Sequence, residues 1–128
     1  MYDWHYGKGY KIVNIADICG VSAENDNAFI HVRKEKNNAS EVIIWLYENN
    51  LERNRYKLNF IFGDTSFVRS GSYFVNNEGK KVLYVNRPLL VLRQMRRCKA
   101  FSIDIKMRDS LIGRYDYKAF DVLKWGDF

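Results

Sequence analysis

The sequence predicts a mainly β fold, an antiparallel β-sandwich or flattened barrel with one short helix near residues 87–98. Three observations carry this. Apolar and polar residues alternate with period two in several separate runs, the pattern of strands with one face on a core. Asn- and Gly-rich breaks separate those runs at short spacing, the cue for sequential antiparallel strands. A single stretch switches to helical spacing. The chain has 128 residues, 47% of them apolar and 16% aromatic. This is one domain by length, with enough apolar material for a real core. Aromatic side chains are also favoured on a pleated surface. One Pro and no Gly/Ser tract leave no sign of a linker, and no repeat is visible.

Strand candidates run from Tyr10 to Val85. In "AFIHVRK", Ala28, Ile30 and Val32 alternate with Phe29, His31 and Arg33, and the second set, His31 included, is expected in solvent. "EVIIWLY", Glu41 to Tyr47, is apolar on both phases and reads as a central strand. "YKLNFIF" puts Tyr56, Leu58, Phe60 and Phe62 on one face, against Lys57 and Asn59. "GDTS", Gly63 to Ser66, is a loop after that strand. "SYFV" and "VLYV" flank "NNEGKK", a hairpin with Gly79 available for positive φ. "ENDN" (24–27) and "KNNAS" (36–40) are further breaks.

In "NRPLLVLRQMRRCK", Asn86 is a favoured N-cap and Pro88 falls in the first turn, where a missing N–H is harmless. Val91, Leu92, Met95 and Cys98 then share one helical face, and Arg93, Arg96 and Arg97 the other. These arginines are the candidate partner-binding residues. A solvated face near a helix C-terminus, where the macrodipole favours cations, accounts for them equally. "FSIDIKM" follows as a strand, with Phe101, Ile103, Ile105 and Met107 inward and Ser102, Asp104, Lys106 and Arg108 in water. "RYDYKAFDVLKW" reads as a last strand running into a short helix or turn.

A net charge of +6 favours acidic partners and disfavours a protein that mimics DNA. Cys19 and Cys98 either pair or are two buried free thiols. Pairing would close a long loop, worth about 4 kcal/mol in the chain-entropy model. With two Cys and two His lacking close pairing, no metal site is expected, nor any cofactor. Asp104, Asp109 and Asp116 are not spaced as an acid–base couple. Gly7 and Gly9 open no phosphate loop. The expectation is therefore a non-enzymatic protein.

Nucleic-acid binding would use basic residues interleaved with exposed aromatics on a sheet. Arg53, Arg55, Lys57 and Arg69, with Tyr73 or Tyr84, are the candidates. Most aromatics fall on the core phase, which favours a protein partner over nucleic acid. An inhibitor of a host complex, encoded by a phage or mobile element, has the same signature. No run reaches the length of about 20 apolar residues that a spanning helix needs. The start has no signal-peptide pattern. Met1 as the native start implies a cytoplasmic protein, whereas Met1 in place of a removed signal implies an exported or periplasmic one.

Trp4 and Tyr6 in "DWHY" match a W-x-Y pattern. Leu89 to Arg97 match a short helix, and Phe101, Ile103 and Ile105 a following strand. Tyr115, Asp116, Tyr117, Lys118 and Ala119, with Leu123, occupy a closing aromatic–acidic motif. In this order of elements the chain resembles the small β-sandwich domains of invasion-associated locus B proteins and of accessory lipoproteins encoded beside type VI secretion systems. Ala119 stands where that pattern has Gly, and Tyr115 where it has Phe. The resemblance implies an exported, non-catalytic accessory or binding protein, and supplies no catalytic residues.

Overall fold

The computed structural model describes residues 11–14, 28–34, 40–46, 51–75 and 79–118. Trp4, Tyr6, Cys19, the 24–27 break and the tail after Lys118 lie outside them. The elements are β1 (Lys11–Asn14), β2 (Ala28–Lys34), β3 (Ser40–Leu46), β4 (Arg55–Phe62), β5 (Thr65–Val75), β6 (Lys81–Val85), α1 (Leu89–Arg97), β7 (Ala100–Met107) and β8 (Ser110–Lys118). All strand pairs are antiparallel, in one sheet of order β1-β2-β3-β6-β5-β4-β7-β8.

Of the two expected arrangements, this is the barrel-like one, a curled half-barrel. The curl is visible in one contact. The Tyr117 hydroxyl on β8, at one edge, donates to the Ala28 carbonyl on β2, next to the other edge, at 3.0 Å. A single apolar cluster spans the inner face. It joins Ala28, Ile30, Val32, Leu58, Phe60, Ile103, Ile105, Tyr115 and Tyr117 to Val91, Leu92 and Met95 of α1. The helix therefore packs on the concave side, with those three residues buried.

The inward phases of β4 and β7 are as the alternation predicts: Tyr56, Leu58, Phe60, Phe101, Ile103 and Ile105 are all buried. β3 lies between β2 and β6 with Val42, Ile43 and Ile44 all buried, which accounts for its two apolar phases. The β5–β6 hairpin pairs Tyr73 with Leu83 and Phe74 with Val82, and Gly79 has φ +78°. The β4–β5 turn is a tight two-residue link after Phe62↔Thr65, with Gly63 at φ +60°. A first central Gly matches the twist of a two-residue hairpin.

Three expectations are corrected. His31 is fully buried rather than solvated. It lies opposite Ile43, which with Val82 forms a small apolar cluster on the second face of the sheet. That face is therefore covered at β2, β3 and β6. Asp104 is also buried rather than in water. Arg114, directly opposite on β8, clamps it through Nε at 2.5 Å and Nη2 at 2.7 Å. The guanidinium holds the carboxyl below the usual carboxylate range, despite the opposing cost of burial. Finally, Asn86 does not cap the helix. Pro88 occupies the N-cap without a side-chain bond. The Asn86 amide instead donates to Ser70 Oγ at 2.8 Å and Ser72 Oγ at 3.1 Å. Arg87, at φ +52°, supplies the reversal that starts α1.

Candidate functional site

Two surfaces carry candidate residues. The first is the outer face of α1. Arg93, Arg96 and Arg97 are exposed, while Val91, Leu92 and Met95 are buried, so the helical phase is the predicted one. Leu89 and Leu90, 58% and 47% exposed, extend the same outer face at its N-terminal end. Leu89 stands four residues before Arg93, and Leu90 seven before Arg97, so they share a stripe. Sequence periodicity did not single out the two leucines. Cys98 ends the helix as a free, half-buried thiol. Its Sγ lies 3.3 Å from the Met95 carbonyl oxygen, and burial pushes its pKa up to about 11.

The second surface is the convex face of β4, β5 and β7. Pairing register builds it. Lys57 lies directly opposite Ser70 on β5 and Lys106 on β7. Arg55 is opposite Ser72, and Arg108 follows Met107, the partner of Tyr56, which brings it level with Arg55. Arg55, Lys57, Lys106 and Arg108 are all exposed. The ion pairs found among the described residues, Arg33–Glu41 and Arg114–Asp104, involve none of these four. Like charges directly opposite each other destabilise a ladder, so this cluster works against the fold rather than for it.

Arg55, Lys57 and Arg108 line an open cleft of about 440 Å³ with Asn54, Tyr56, Val68, Arg69 and Ser70. A neighbouring cleft of about 240 Å³ is lined by Arg53, Asn54, Arg55, Gly71, Ser72 and Tyr73. Asn54 and Arg55 belong to both, so the two form one groove. Arg69 contributes charge from a fixed position. Its Nε donates to the Arg87 carbonyl and its Nη1 to the Val68 carbonyl, each at 2.9 Å. The sequence thus supplied Arg53, Arg55, Lys57 and Arg69, which the fold brings to these clefts, whereas Tyr73 pairs with Leu83 and packs against the apolar cluster of the concave side. It missed Lys106 and Arg108, which adjoin Lys57 and Arg55 only because β7 pairs with β4. Tyr84 stands apart, edge-on to Phe74 with ring centroids 4.9 Å apart.

One buried hydroxyl positions the groove. Tyr56 Oη donates to the Glu52 carbonyl at 2.8 Å and accepts from the Glu52 amide at 2.9 Å. This pins the segment that delivers Arg53, Asn54 and Arg55. Tyr56→Phe removes both bonds and leaves a backbone N–H and C=O to find new partners. It should cost about 1–3 kcal/mol, read as a lower urea midpoint with unchanged slope. A midpoint equal to that of the unsubstituted protein would mean the hydroxyl is dispensable.

Comparison with family models, with curated proteins and with solved structures finds no match to this chain.

Proposed function

We propose that the protein is a non-catalytic, protein-binding accessory module that engages its partner through the outer face of α1. The observation that carries this reading is the pair of consecutive exposed leucines aligned with three arginines. A solvated helix face explains arginines but gains nothing from Leu89 and Leu90. An apolar contact rimmed by guanidinium groups suits a partner surface with an apolar centre and acidic edges, where Arg is a frequent hot spot. The sheet carboxylates favour the same reading, because they are engaged in structure. Asp104 is clamped by Arg114, and Asp116 Oδ1 accepts from Ser102 Oγ at 2.5 Å. The likeness to exported accessory domains points the same way. An inhibitor of a host complex is a special case of this reading.

Replacing Arg93, Arg96 and Arg97 together by Ala tests it. The melting curve should stay nearly unchanged, because exposed substitutions usually fall within about ±0.5 kcal/mol. Affinity capture from the native host, run in parallel with both proteins, should retain a partner on the unsubstituted chain and lose it on the variant. Identical captures would reduce the arginines to a solvated face and remove the proposal.

A further inference from the structure

We draw no further inference here: the strongest candidate, the basic convex face of β4, β5 and β7 at Arg55, Lys57, Lys106 and Arg108, offers positive charge that any anionic occupant would meet equally, and nothing in the structure shows what covers it.

Discussion

Phe60→Ala should destabilise the protein by about 3–5 kcal/mol, the range for truncating a fully buried phenylalanine. Phe60 has no exposed surface. It lies on β4 opposite Phe67 of β5 and Ile103 of β7. The cavity would therefore open between three strands, with the apolar cluster on the concave side. Backbone pairing to both neighbours limits how far those strands can move in to fill it. Domains of this size are stable by about 5–15 kcal/mol, so the loss is a large share of the total. Ile61→Ala is the control. Ile61 is on the opposite phase of the same strand and only half-buried, so its loss should cost clearly less. Urea unfolding of both variants measures the difference. A larger cost at Ile61 than at Phe60 would mean the phase of β4 is reversed.

That phase was legible because a strand with one buried face writes its orientation directly into alternating residues. What alternation does not encode is whether the second face is also covered. His31 and Asp104 share their strands' polar phase, yet both are buried. His31 is buried because β2 runs beside β3, whose Ile43 belongs to an outer apolar cluster. Asp104 is buried because Arg114, ten residues away, arrives opposite it through the β7–β8 hairpin. Both depend on neighbours that the local sequence does not name.

The groove shows the same division. Arg53, Arg55, Lys57 and Arg69 were visible as basic residues on neighbouring strands. Their meaning depended on Lys106 and Arg108, which come from a strand after the helix. β4 pairs with β7 rather than only with its sequence neighbour β5, and period-two reading gives no access to that pairing. The helix shows a third kind of gap. Its spacing fixed which side is buried, but Asn86 could serve either as a cap or as a link to β5. Ser70 and Ser72 accept from its amide, a competition between local and long-range partners that only the folded sheet decides.

Met95→Ala should cost about 2–5 kcal/mol and act on the whole fold rather than on α1 alone. Met95 is fully buried, and it shares the apolar cluster with residues from both ends of the curled sheet. The helix has only nine residues, and its N-cap Pro88 makes no side-chain bond. An isolated helix of that length is marginal in water, so α1 owes its stability to packing of Val91, Leu92 and Met95. The concave face of the sheet in turn owes its cover to those same side chains. Removing the thioether therefore empties volume at the junction and weakens both layers at once. Leu89→Ala gives the contrast. Leu89 is 58% exposed, so its loss should change stability by no more than about 0.5 kcal/mol. Thermal melts of the two variants should separate widely, and far-UV and near-UV circular dichroism should lose signal together in Met95→Ala. A variant that lost only helical signal, with the aromatic signal of the sheet intact at the same temperature, would mean α1 is an appendage and not part of the core.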